Sequence, residues 1–182
     1  TLDRALRHKS SLAVHLRTTY AALFGTDYDL LLYDLTSTYF EGDVPLNAKA
    51  KRGYSRDKRP DCKQVVVGLV VDRDGFPLAH AVFEGNVRDS MTVGRMLDIL
   101  MARVVVAPGS LVVVDRGMAT KKNREEICAR GLHYLVALRQ SERDAHLEEF
   151  EALEGFEEVQ REVSPNNPYQ KKPRVLVKAL RS

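Results

Sequence analysis

The tetrapeptide Asp72-Arg73-Asp74-Gly75 separates two apolar runs, residues 64–71 (QVVVGLVV) and 76–83 (FPLAHAVF). No other feature of the chain constrains its fold as tightly. An Asp-Gly pair between apolar runs closes a β-hairpin, because glycine accepts positive φ at little cost. Residues 30–40 (LLLYDLTSTYF) are rich in aliphatic, aromatic and β-branched side chains and read as a strand buried on both faces. After a Pro108-Gly109 turn, residues 111–115 (LVVVD) read as a short buried strand ending in a carboxylate. Residues 133–139 (HYLVALR) are a further strand.

Helical periodicity fills the intervals. Residues 2–24 repeat apolar positions near 3.6, and Gly25 can cap their end. Over residues 90–104, Val93, Met96, Leu97, Leu100, Met101 and Val104 form one stripe, with Ser90 or Thr92 as the N-cap. Residues 119–130 form a helix that Gly131 stops, and Ser141 with Asp144 offers a capping box for a helix ending near Gly155. The tail, residues 156–163 and 174–180, suggests a second hairpin. A hairpin followed by strand–helix–strand crossovers predicts an α/β fold, a mixed sheet flanked by helices.

The longest apolar run, residues 65–71, is far short of the roughly 18–20 residues that a membrane span needs. Cys62 and Cys128 lie far apart and the five histidines do not cluster, so neither a disulfide framework nor a zinc site is indicated. A reducing, cytoplasmic setting is expected. The net charge of +3 is unevenly spread. Lys49, Lys51, Arg52, Arg56, Lys58, Arg59 and Lys63 face only Asp57 and Asp61 within residues 49–63, a stretch with no clear period that reads as a basic loop over residues 42–61. Residues 142–162 are strongly acidic, and the last thirteen residues are basic again.

Two carboxylates stand out. Asp34 interrupts an apolar strand, where burial would cost several kcal/mol unless the acid is paired, hydrogen-bonded or bound to metal. Asp115 sits at the carboxyl end of a strand, where open α/β sheets gather their ligands. Each alone is equally well a strand-end acid bonded to backbone; on neighbouring strands they could share one ion. The chain has no Walker A sequence, no GxGxxG after a strand, no HExxH and no GxSxG. Asp72 and Asp74 are explained by the hairpin turn. His80 and His133 read as core or edge histidines, and Met91, Met96 and Met101 as helix packing.

Five separated segments, in order, resemble the DDE-class insertion-sequence transposases. Tyr33-Asp34-Leu35-Thr36-Ser37-Thr38-Tyr39-Phe40 resembles their first catalytic strand. Gly53-Tyr54-Ser55-Arg56-Asp57-Lys58-Arg59-Pro60-Asp61 with Lys63-Gln64 is similar to the basic segment that follows it. Glu84-Gly85-Asn86 with Asp89-Ser90 is similar to the turn before the first core helix. Val113-Val114-Asp115-Arg116-Gly117 resembles the second catalytic strand, and Asn123 occupies a position where the family often has asparagine.

The resemblance, over about residues 30–140, implies an RNase H-like core in which an antiparallel three-stranded unit is extended by parallel strands, the first and fourth side by side. The expected organisation is a helical segment at 1–29, read from its period, then a partial core at 30–155 and the start of a β-rich insertion at 156–182, as the resemblance implies. The resemblance makes Asp34 and Asp115 the first two acids of a catalytic triad that binds Mg²⁺ or Mn²⁺, with Asp34 bridging two ions and Asp115 holding one. The family's third acid is a Glu on a later helix within a Tyr…Arg…Glu…Lys signature. That signature is missing here, and Glu148, Glu149 and Glu151 come too soon after the last core strand. A C-terminally truncated transposase is therefore expected, one that cleaves and transfers DNA strands only when completed. The implied partner is DNA, both transposon ends and target, bound by a nucleoid-associated homodimer. Lys51, Arg52, Arg56, Lys58, Arg59 and Lys63 are the candidate phosphate contacts, and Tyr54 could stack on an unpaired base. Two alternatives stay open: a non-catalytic DNA-binding remnant, and a two-Asp Mg²⁺-dependent nuclease or phosphatase.

Overall fold

The computed structural model describes residues 2–25, 28–137, 144, 147–152, 154–159 and 175–178. The chain forms two compact units, Thr1–Ala137 and Leu138–Ser182.

The first unit is an α/β structure around one five-stranded sheet. Its strands are β1 (Leu30–Phe40), β2 (Lys63–Val71), β3 (Pro77–Glu84), β4 (Leu111–Val114) and β5 (His133–Val136), in the spatial order β3-β2-β1-β4-β5. The pairs β1–β2 and β2–β3 are antiparallel, and β1–β4 and β4–β5 are parallel. This is the RNase H-like mixed sheet that the sequence implied, with the first and fourth strands adjacent. The Asp-Gly hairpin forms as expected. Gly75 has φ 88°, and the buried Asp72 carboxylate accepts hydrogen bonds from the Asp74 and Phe76 amides at 3.0 and 2.8 Å.

Two helices complete the crossovers, α3 (Val93–Met101) between β3 and β4, and α4 (Lys121–Ala129) between β4 and β5. The apolar stripe predicted for residues 90–104 buries Val93, Met96, Leu97 and Leu100 against the sheet. The regular helix is shorter than expected, because a 3₁₀ turn (Asp89–Met91) precedes it. Thr92 occupies the N-cap position but makes no side-chain cap; its hydroxyl instead donates to the Asp89 carbonyl and accepts from the Tyr33 hydroxyl. A second 3₁₀ turn (Arg116–Met118) leads to α4, which Thr120 caps by accepting from the Asn123 amide.

Strand β1 differs from expectation. It alternates, burying Leu31, Tyr33 and Leu35 beneath the helices and leaving Asp34, Thr36 and Thr38 on the other face, Asp34 exposed. The strand period of two puts the acid on the opposite face from the core, so Asp34 carries no burial cost. The N-terminal helix is likewise split into α1 (Leu2–Arg7) and α2 (Lys9–Phe24), neither with a buried residue. Gly25 ends α2 in the left-handed conformation, as expected. Tyr20 and Phe24 of α2 lie against Phe76, with ring centroids 4.8 and 5.1 Å away.

In the second unit, α5 (Leu147–Glu151) precedes an antiparallel pair of β6 (Glu157–Val159) and β7 (Val175–Val177). The suggested tail hairpin is present to that extent. The Ser141 cap and residues 138–139 of the strand reading lie outside the described residues.

The alternation of faces gives a direct prediction. Leu31→Ala empties a fully buried site and should lower unfolding free energy by about 2–5 kcal/mol. Leu69→Ala, on the outer face at 42% exposure, should stay within about 1 kcal/mol. Urea denaturation of both variants compares the two.

Candidate active site

Asp34 and Asp115 reach their positions by strand register. Tyr33 pairs with Val114 in the parallel β1–β4 ladder; Asp34 is the next residue of β1, and Asp115 the residue just past the end of β4. Val112 and Val114 face the core, as do Leu31, Tyr33 and Leu35, so Asp34 and Asp115 leave the sheet on the same side. Both line one shallow depression with Leu32, Tyr33, Val113 and Val114. Both are exposed. The Oδ1 of Asp34 accepts from the following amide, that of Leu35, at 2.7 Å, which fixes the carboxylate's orientation on the strand. Asp115 stands at the start of the second 3₁₀ turn with extended backbone.

Beneath this pair, the Tyr33 hydroxyl donates to Thr92 Oγ1 at 2.8 Å. Burial pushes its pKa up to about 12, against the Thr92 hydrogen bond and aided by the charges of Asp89 and Asp34. It therefore remains protonated at neutral pH and acts as a structural donor, not a base.

The two 3₁₀ turns pack against each other. Asn123, 3% exposed, locks them together: its Nδ2 donates to the Ser90 carbonyl at 2.8 Å and to the Met118 carbonyl at 2.7 Å. One turn carries Asp89 and the other begins just after Asp115. Gly117 lies near both carboxylates. A Cβ there would stand 3.8 Å from Asp115 Oδ2 and 3.8 Å from Asp89 Oδ2, so these oxygens are at most twice that distance apart.

The basic segment is ordered by a compact joint. Lys51 and Gln64 exchange backbone hydrogen bonds at 2.9 and 3.0 Å, and the Gly85 amide donates to the Lys49 carbonyl at 2.9 Å. The buried Gln64 side chain donates to the carbonyls of Tyr54 and Gly85, both at 2.8 Å. A Cβ at Gly85 would fall onto the Gln64 carbonyl, and one at Gly53 onto the Gly85 carbonyl. Only glycine permits this approach.

The seven candidate DNA contacts are not equivalent. Lys51, Tyr54 and Lys58 project outward, Tyr54 at 86% exposure. Arg56 Nη2 pairs with Asp89 Oδ2 at 2.8 Å. Arg59 grips Asp61 through two hydrogen bonds of 3.0 and 2.9 Å and lies over the Tyr39 ring. That pairing holds the Asp61 carboxyl well below the usual carboxylate range. Arg52 Nε donates to the Asp61 carbonyl, and Lys63 Nζ to the Asp43 carbonyl. Arg59 and Lys63 thus spend part of their hydrogen-bonding capacity within the protein.

The sequence assigns no site role to Asp89, Asn123 or Gln64 beyond their places in the resembling segments and predicted elements. The contacts Arg56–Asp89, Gln64–Gly85 and Asn123–Ser90 join residues 21–33 positions apart, a separation at which no local pattern reports contact.

No curated protein matches the chain. Among solved structures, it is similar to a piggyBac transposase synaptic complex with hairpin DNA, at 13% identity over 65% of this chain and 25% of that one, with a TM-score of 0.45. It is also similar to the Mos1 strand transfer complex, at 12% identity over 76% of this chain and 45% of that one, TM-score 0.42. A Mos1 transposase paired-end complex with the left transposon end gives 9% identity over 81% of this chain and 55% of that one, TM-score 0.39. The chain thus spans between a quarter and just over half of these solved chains. Residues 25–179, which include both strand-borne acids and the whole basic segment, match the family described as transposase DDE domain, and the chain belongs to that family.

Proposed function

We propose that the chain carries the catalytic core of a DNA transposase that cleaves phosphodiester bonds and transfers strands with Mg²⁺ or Mn²⁺. The observation that supports this most is the placement of Asp34 and Asp115 one residue past a shared register pair, on one face, in a chain of the DDE family. Two adjacent, solvent-open carboxylates form an all-oxygen donor set, which suits a hard divalent cation. Asp34 and Asp115 would hold it. When bound there, it would stabilise the charge that develops on the phosphoryl oxygens and make an attacking water more acidic.

The protein's own groups bring DNA to that place. Lys51, Lys58 and the outward edges of Arg52 and Arg56 meet backbone phosphates, while Arg59 and Lys63 shape the segment through Asp61 and Asp43. Tyr54 offers a ring on which an unpaired base can stack. The third acid comes, in this reading, from outside the described residues, among which no three metal-ligating side chains gather. That same observation favours a second reading for this chain by itself: a DNA-binding unit without turnover. Assembly as a homodimer on paired DNA ends belongs to the first reading. No helix among the described residues is long and apolar enough to cross a membrane.

Two measurements test the reading. Asp34→Asn and Asp115→Asn should each reduce Mg²⁺-dependent nicking of supercoiled DNA by the intact protein at least about 100-fold, with DNA retention within about twofold. Cleavage that survives either change removes the acids from the chemistry; retention with no cleavage by the unaltered protein selects the second reading. Lys51→Ala with Lys58→Ala should flatten the plot of log affinity against log salt by about 1.8, roughly 0.9 for each phosphate that is no longer neutralised.

A further inference from the structure

Asp89 is out of place on a surface meant for DNA. Its side chain is 38% exposed, beside a cationic segment, with Oδ2 no more than twice 3.8 Å from Asp115 Oδ2. A negative charge there repels phosphate, unless its position serves another group. The structure gives that group. Asp89 Oδ2 accepts from Arg56 Nη2 at 2.8 Å, across 33 residues of sequence. This bond is the point where the tip of the basic segment meets the turn that Asn123 clamps to the end of the Asp115 strand. The base of the segment is fixed separately, by Gln64 on the Gly85 and Tyr54 carbonyls. A guanidinium has five N–H donors, and this bond uses one.

We propose that Asp89 is a positioning residue. It holds Arg56 at the margin of the Asp34–Asp115 pair, with the remaining guanidinium donors directed to the DNA phosphate that lies there. The proposal rests on the DNA-interface reading above and adds to it a role for an acidic side chain. Arg56 is the residue that touches DNA; Asp89 acts through it. A guanidinium fixed in place loses less side-chain entropy on meeting phosphate than a mobile one, so the pair favours binding although it lowers the net positive charge.

The sign of one substitution decides the matter. Asp89→Asn removes a negative charge and leaves the turn intact, because the backbone carbonyl of Asp89, not its side chain, accepts from Thr92. If Asp89 only offsets charge, Asp89→Asn binds DNA more tightly. If it positions Arg56, binding of a short fluorescent duplex, followed by anisotropy, weakens about three- to tenfold. The salt dependence also flattens, by the equivalent of about one phosphate. Arg56→Ala should weaken binding to a similar extent, and adding Asp89→Asn to Arg56→Ala should weaken it no further. Thermal melting of each variant confirms that the fold is retained. Unchanged or tighter binding by Asp89→Asn overturns the proposal, as does full affinity in Arg56→Ala while Lys58→Ala still weakens binding. Full affinity in Arg56→Ala, Lys51→Ala and Lys58→Ala together would instead refute the DNA interface itself.

Discussion

The parallel register between β1 and β4 is the constraint on which the rest of the site depends. It pairs Leu30 with Leu111 and runs to Tyr33 with Val114, so the acids that follow emerge side by side. Side chains alternate along a strand, and a slip of one residue in either strand would send one acid into the core and its apolar neighbour out. The buried set, Leu31, Tyr33 and Leu35 against Val112 and Val114, makes that slip expensive. Core packing thereby fixes the geometry of two exposed carboxylates that take no part in the core.

A second layer of order brings cations to the acids. The basic segment has no helix or strand of its own, yet it is not loose. Its base is stitched to the ends of β2 and β3 by backbone pairing through Lys51 and Gly85 and by the buried amide of Gln64. Two glycines allow the backbones to come close enough for those bonds. Asn123 performs a similar task on the other side, closing two 3₁₀ turns onto each other. Both side-chain amides are buried and each donates twice, so removing either breaks two hydrogen bonds that tie separate segments together. This attachment fixes where the cations of the segment stand relative to Asp115, through Arg56 on Asp89.

Much of this was legible in the residues. The Asp-Gly hairpin, the helix stripe over residues 90–104 and the short strand leading to Asp115 follow from periodicity and turn chemistry, which act over a few residues. Legibility failed where a longer-range choice intervened. β1 reads as apolar on both faces, but only the Leu31, Tyr33 and Leu35 side joins the buried core, and the composition of LLLYDLTSTYF does not say which side that is. The N-terminal helix has the right period, yet no residue of it is fully buried and it breaks at His8. The seven candidate DNA contacts look alike as letters, whereas the structure commits Arg59 to Asp61 and Arg56 to Asp89.

The sequence by itself determined the elements, their order and the identity of the two strand-borne acids, because hydrophobic period, glycine conformation and charge are local properties of the chain. The tertiary structure alone decided that those acids share a face, that a cationic segment docks beside them, and that Asp89 and Asn123 are the residues joining the two. Those outcomes depend on register and on contacts between residues dozens of positions apart, which packing of the whole core selects and no short stretch encodes.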